Sequence, residues 1–169
     1  AHIIRGVSFD KQETSDKPQY GYLPILRAGN IGHVLDIEND LIWVRETQVT
    51  AEQLMREGDV AICMSSGSPQ VVGKSAQLDV TWHGSVGAFC AIIRFSSINP
   101  RFGALFLQSP AFWAWRDGQA QGANIQNLRK TELEQMTIPL PSTKEQERIV
   151  RILDEADQLR RLRVEANRR

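Results

Sequence analysis

Thiols and imidazoles are scarce in this sequence. Of 169 residues, only Cys63 and Cys90 are cysteine and only His2, His33 and His83 are histidine. The cysteines form no Cys-x-x-Cys pair. They sit inside the apolar runs Val60-Ala61-Ile62-Cys63-Met64 and Ala88-Phe89-Cys90-Ala91-Ile92-Ile93, where a thiol behaves as a small buried hydrophobe. The histidines are scattered without ligand spacing, so no metal site is expected and each reads as a surface, loop or tag residue. Long apolar runs are also missing. None approaches the roughly 20 residues needed to span a bilayer, and Ala1-His2-Ile3-Ile4-Arg5 lacks the basic start and apolar core of a signal peptide. No membrane association is expected, and the expected location is the cytoplasm.

Net charge is absent too: 20 basic residues balance 20 acidic ones. This argues against binding nucleic acid by bulk electrostatics alone, because phosphate contacts come from clustered Lys and Arg. A neutral total still accommodates a basic face, or a larger complex in which partners supply charge. The composition is otherwise ordinary, 41% hydrophobic and 24% charged, enough for one compact domain plus an appendage.

Catalytic constellations are missing as well. Gly67-Ser68-Pro69-Gln70-Val71-Val72-Gly73-Lys74-Ser75 comes near a phosphate-binding P-loop, but has five residues between its glycines where the motif needs four. Asn99-Pro100-Arg101-Phe102 differs by one residue from the Asn-Pro-Pro-Phe tetrapeptide of adenine aminomethyltransferases. No glycine-rich cofactor loop accompanies it, so it reads as a turn fixed by Pro100. No Gly-x-Ser-x-Gly elbow and no nucleophile–base pair is apparent. No catalytic residue and no cofactor is expected.

Two regimes are present along the chain. Up to about residue 140, short apolar runs alternate with Gly, Pro, Asn and Asp. Leu41 to Val44, Val60 to Met64, Ala88 to Phe95 and Met136 to Leu140 read as strands, and Glu57-Gly58-Asp59 as a turn. Gly103 to Gln108 fits a strand or a helix. Thr50 to Arg56 reads as a short helix capped by Thr50 and Gln53, and Ser109 to Trp115 as another. From Ser142 the pattern is helical. Pro141 sets the entry, and Ser142 with Glu145 forms a capping-box pattern. Ile149, Ile152, Ala156 and Leu159, flanked by Leu153 and Leu162, make an apolar stripe. Such a stripe needs a partner, either its own domain or another helix. The expected fold is α+β: a mostly β, twisted-sheet or barrel-like domain over 1–141 with short helices, then a long helix over 142–169 that pairs with another helix.

The loops read either as simply solvated or as the place where binding chemistry sits. Ser65 to Gln70 and Gly118 to Asn127 are rich in Ser, Gln, Asn and Gly. Amide side chains pair bidentately with adenine, and glycines let backbone amides approach phosphates. Arg27, Lys74, Arg94, Arg101, Arg116, Arg129 and Lys130 lie in or beside such loops and suit backbone clamping. The candidate DNA-contacting residues are Arg27, Asn30, Ser66, Ser68, Gln70, Lys74, Gln119, Gln121, Asn124 and Gln126.

The order of these features resembles the target-recognition domain of type I restriction-modification specificity subunits. The resemblance covers nearly the whole chain. It runs from Gly58-Asp59-Val60 through Ser65-Ser66-Gly67-Ser68, Val72-Gly73-Lys74-Ser75 and Gly84-Ser85-Val86-Gly87-Ala88-Phe89 to Leu105-Phe106-Leu107 and Gln126-Asn127-Leu128. Its most specific piece is Ile138-Pro139-Leu140-Pro141, Glu145-Gln146 and Ile149-Val150. The resemblance implies a non-catalytic reader of one half of a split double-stranded DNA site. It implies modification subunits that methylate adenine, a restriction subunit, and long helices that pair and space the half-sites. One recognition domain and only the start of a helix are present. The chain therefore reads as a piece of a longer subunit, or as a half-subunit that self-associates. Alternatives are a protein–protein assembly module using the C-terminal helix, and the specificity end of a single-chain restriction–methylation enzyme.

Overall fold

The computed structural model describes residues 1–119 and 127–167. Its strands are β1 (His2–Arg5), β2 (Tyr22–Leu26), β3 (Ile42–Arg45), β4 (Val60–Cys63), β5 (Ser75–Gln77), β6 (Ser85–Val86) and β7 (Cys90–Arg94). Its helices are α1 (Pro100–Leu107), α2 (Pro110–Gly118), α3 (Lys130–Gln135) and α4 (Thr143–Ala166). The class is α+β, as the sequence pattern implies.

The strands form two sheets. One has the order β1-β7-β4-β5, antiparallel throughout. The other has the order β3-β2-β6, with β2 and β3 antiparallel and β2 and β6 parallel. The central strands β4 and β7 are apolar on both faces because both faces are covered. Val60, Ile62, Ala91 and Ile93 point to one cluster with Leu107 and Phe112. Ala61, Cys63, Cys90 and Ile92 point to another with Leu26, Leu78 and Val86. A strand buried on both sides reads as a continuous hydrophobic run rather than an alternation, which is how these two strands stand in the sequence.

Several local expectations need correction. Residues 50–56 form turns rather than a helix. The Gln53 carboxamide oxygen does accept from the Thr50 backbone N–H at 3.1 Å, but only one turn closes. Gly103 to Leu107 is helical. Asn99 caps that helix by accepting from the N–H groups of Arg101 and Phe102, and Pro100 at the first helical position needs no backbone donor. The Asn-Pro-Arg-Phe stretch is thus a helix start rather than a turn, with Pro100 still fixing the backbone. Met136 to Leu140 has no strand pairing. His2, read as a surface, loop or tag residue, is exposed but begins β1, which pairs with β7 from His2↔Arg94 to Arg5↔Ala91.

At the β4–β7 rung Cys63↔Cys90, both thiols are buried. A hydrogen bond with Cys63, together with burial, pushes the Cys90 thiol up. With both thiols shut away from solvent, a reagent has no access to either, whichever of the pair carries the proton. The native chain is therefore expected to resist maleimide near neutral pH, while both thiols react in denaturant. Mass spectrometry after timed labelling checks this, and a rapid adduct on the native chain would contradict it.

Candidate nucleic-acid interface

The antiparallel order gathers chain ends on one side. β1 and β4 finish where β5 and β7 begin, since Arg5 faces Ala91, Cys63 faces Cys90 and Ile62 faces Ser75. The segments after β1, between β4 and β5, and before β7 therefore emerge together. Asn127 joins them by bridging Ser65, and the Leu128 N–H donates to the Met64 carbonyl at 2.7 Å.

Two concave surfaces flank this end and share Ser65 and Cys90. One is a groove of about 750 Å³ whose walls include Phe9, Lys11, Arg27, Ser65, Ser66, Gly67 and Phe89. The other, of about 370 Å³, includes Arg5, Asn127, Arg129 and Lys130. Arg5, Lys11, Arg27 and Arg129 are all exposed. The neutral chain thus gathers cations at one end of a sheet, beside hydroxyl and backbone groups. Asp36 and Asp40 stand in the larger groove. Backbone N–H donors of Asn39 and Glu38, with the Asn39 amide, hold the Asp36 carboxyl below its usual range. A fixed carboxylate repels phosphate, so Asp36 and Asp40 offset the charge of Lys11 and Arg27 within this groove.

The expected site residues distribute unevenly. Arg27 and Ser66 line the larger groove. The Arg27 guanidinium also donates to the Asp40 carbonyl at 2.8 Å, anchoring that loop. The Ser66 hydroxyl accepts from the Ser68 N–H at 3.1 Å. Ser68 donates to the Gln70 carboxamide oxygen at 3.4 Å. These two and the exposed Lys74 lie on the β4–β5 loop without lining the groove. Gln119 closes α2, its amide reaching the Trp115 carbonyl at 3.5 Å. Gln121, Asn124 and Gln126 lie outside the described residues.

Asn30 departs from expectation. It is 4% exposed. Its carboxamide accepts from the Arg27 N–H and donates to the Asn39 carbonyl, both at 2.8 Å. Asn30 lines the larger groove, but one donor and one acceptor of its amide already serve to hold the loop. Three arginines expected as clamps are likewise internal ties. Arg94 pairs with the buried Asp59 at 2.7 Å. Arg101 reaches Asp154 of α4 at 2.6 Å. Arg116 donates to the Pro69 and Val72 carbonyls at 3.0 and 2.8 Å and pairs with Asp117. Its guanidinium lies 4.5 Å from the Trp113 ring centre, so it fixes the β4–β5 loop from within. Gly73 permits this packing: its φ is 88°, and a Cβ there would meet the Arg116 Cδ at 2.9 Å.

Sequence reasoning missed Arg5, Lys11, Phe9 and Phe89. Arg5 ends β1 and Lys11 opens a short helical turn, and only the tertiary structure brings them here. Phe89 had a signal, the Gly87-Ala88 pair before it, but the apolar run from Ala88 to Phe95 hid the turn.

α4 leaves the domain by polar contacts. Ser142 caps it, accepting from the Glu145 N–H at 3.3 Å. The Glu145 carboxylate pairs with Arg148 instead of closing a reciprocal box, and that hydrogen bond lowers its pKa. Gln146 is buried, accepting from the Asn99 N–H at 2.9 Å and donating to the Pro141 carbonyl at 2.9 Å. Asp154 meets Arg101, and Asp157 meets His33 at 3.1 Å. Burial opposes ionisation of Asp157, but hydrogen bonds from His33 and Arg161 outweigh it and lower its pKa. Residues 146, 154 and 157 share one helical face at 3.6 residues per turn. The apolar stripe lies on another: Ile149 is half-buried and Ala156 exposed, and Ile152, Leu153, Leu159 and Leu162 are exposed by 48%, 44%, 67% and 54%. The domain uses the polar face of its helix and leaves the stripe bare. Among the described residues, no helix is long and apolar enough to cross a membrane.

The scaffold delivers loops, cations and hydroxyls to one end, the layout of a candidate recognition surface. The family described as the type I restriction modification DNA specificity domain matches residues 1–167, and the chain belongs to that family. The StySPI specificity subunit of Salmonella potsdam is 37% identical over 153 residues, covering 90% of this chain and 33% of that protein. The EcoKI specificity subunit of Escherichia coli K12 is 35% identical over 153 residues with the same coverage. The chain thus spans about a third of the length of the curated relatives it matches. Two solved structures share the fold. One, from work on assembly and conformational transition of the type I R-M system, has a TM-score of 0.69 at 22% identity, over 97% of this chain and 38% of that one. The other, the HsdS subunit from Thermoanaerobacter tengcongensis, has a TM-score of 0.66 at 23% identity, over 94% and 35%.

Proposed function

We propose that this chain reads one half of a bipartite DNA site as part of a type I specificity subunit, without catalysing a reaction itself. The observation that carries the reading is the convergence of Arg5, Lys11, Arg27 and Arg129 with Ser65 and Ser66 at one end of the main sheet. Cations there position phosphates, and hydroxyl and backbone groups address base edges. The part before Ser142 does the reading, and the helix that Ser142 caps begins the spacer.

The bare stripe on α4 supports a helix–helix contact, either with another segment of the same longer subunit or with a second copy. In this reading the subunit brings modification subunits, which methylate adenine, and a restriction subunit to DNA in the cytoplasm. The chain itself needs no cofactor or metal.

Methylome sequencing tests this directly. Cells carrying the intact system are expected to show adenine methylation at a split sequence that disappears when the gene is deleted. Exchanging residues 1–141 for those of a relative is expected to change one half of that sequence and leave the other. Methylation independent of the gene would end the assignment.

A further inference from the structure

The turn before β7 holds a phenyl ring out of the core. Phe89 is 70% exposed, while Gly87 and Cys90 beside it are buried. The turn's backbone is tied down. The N–H groups of Met64 and Ser65 donate to the Phe89 carbonyl at 2.8 and 3.1 Å, and those of Gly87 and Cys90 donate to the Leu26 and Gly87 carbonyls at 2.9 and 2.8 Å. The ring cannot reach the core without breaking these bonds. It forgoes the gain of burial, and its rigid mounting is what a contact residue requires. It lines the same groove as Lys11, Arg27 and Ser66.

We propose that Phe89 is a specificity-determining residue that packs against the C5-methyl group of a thymine in the target half-site. The proposal rests on this end of the sheet being the DNA face. A phenyl ring has no hydrogen-bond donor or acceptor, so it meets a base edge only through apolar contact. The thymine methyl is the apolar group that the major-groove edge presents. Lys11 and Arg27 are balanced by Asp36 and Asp40 in this groove, but Arg5, Arg129 and Lys130 line the adjoining one with no acidic residue among the described residues, and this excess favours a polyanionic duplex over a protein as the occupant.

The test uses the specificity subunit assembled with its modification subunits, on duplexes carrying the methylated sequence. Each thymine of the half-site is replaced in turn by deoxyuridine, which removes the methyl alone. At one position this is expected to weaken wild-type binding by about fourfold, the worth of one buried methyl. The Phe89→Ala protein is expected to bind the thymine duplex less tightly and to ignore that replacement. Phe89→Leu is expected to retain part of the response. Matching thermal unfolding of all three proteins shows that folding is intact.

Four outcomes overturn the proposal. The wild type ignores every replacement, Phe89→Ala responds as the wild type does, the half-site contains no A·T pair, or Phe89→Ala loses only assembly with the modification subunits. Failure of the wild-type complex to bind any sequence selectively would instead overturn the DNA reading itself.

Discussion

Replacing Asp59 with alanine is expected to cost about 3–5 kcal/mol of folding stability, the usual result of removing one partner from a buried ion pair. Asp59 is 3% exposed on its side chain and Arg94 17%. One carboxylate oxygen accepts from the Arg94 Nε at 2.9 Å; the other accepts from its NH2 group at 2.7 Å and from the Arg56 N–H at 2.8 Å. Arg94 also donates to the Leu54 carbonyl at 2.9 Å. The pair therefore locks the start of β4, the end of β7 and the turn before β4 together. A guanidinium stays protonated at neutral pH with or without a partner, so the Arg94 charge persists when Asp59 is removed and loses its compensating carboxylate. At about 2–4 °C per kcal/mol for a chain of this size, the melting temperature falls by roughly 6–20 °C. Calorimetry on the variant reads this. Removing both charges together, Asp59→Ala with Arg94→Met, is expected to cost less than the sum of the two single changes, since no lone charge is left buried. Additive costs would show that the pair is not coupled.

Neutralising Arg5, Lys11 and Arg129 together is expected to weaken DNA binding similarly for target and non-target sequences. Each contributes about 0.5–1 kcal/mol as an exposed contact, so the combined loss is on the order of tenfold to 100-fold. The slope of log affinity against log salt is expected to become shallower by about 2.7, the release of counterions from three phosphates. All three side chains are exposed, so the fold should be unaffected. Titrations of the assembled complex at several salt concentrations read both quantities. An unchanged slope would move the phosphate contacts elsewhere. A loss confined to the target sequence would place one of these residues at a base edge instead. This contrasts with Phe89, whose loss should alter preference and leave the salt slope unchanged.

Local and periodic features were the legible ones. The runs at Val60 and Cys90 announce strands because apolar side chains fill both faces. Ser109 and Ser142 announce helix starts because a hydroxyl satisfies a nearby N–H through a contact only three residues long. The two-regime organisation and the apolar stripe on α4 follow from spacing alone; that the stripe is bare does not. Features set by distant pairing were hidden. β1 gains its place from β7, some 90 residues away. Asn30 looks like any loop amide until Asn39 folds over it. Arg94, Arg101 and Arg116 look like clamps until Asp59, Asp154 and the Pro69 carbonyl claim them.

The sequence by itself determined the class of the domain, the family, and the point at Ser142 where a capped helix leaves it. Composition, apolar period and caps act within a few residues, so they need no tertiary context. Only the tertiary structure decided which cations and loops share a surface, which polar side chains are already spent on holding the fold, and that Phe89 faces outward. Those outcomes depend on contacts between segments far apart in the chain, and local patterning carries no information about them.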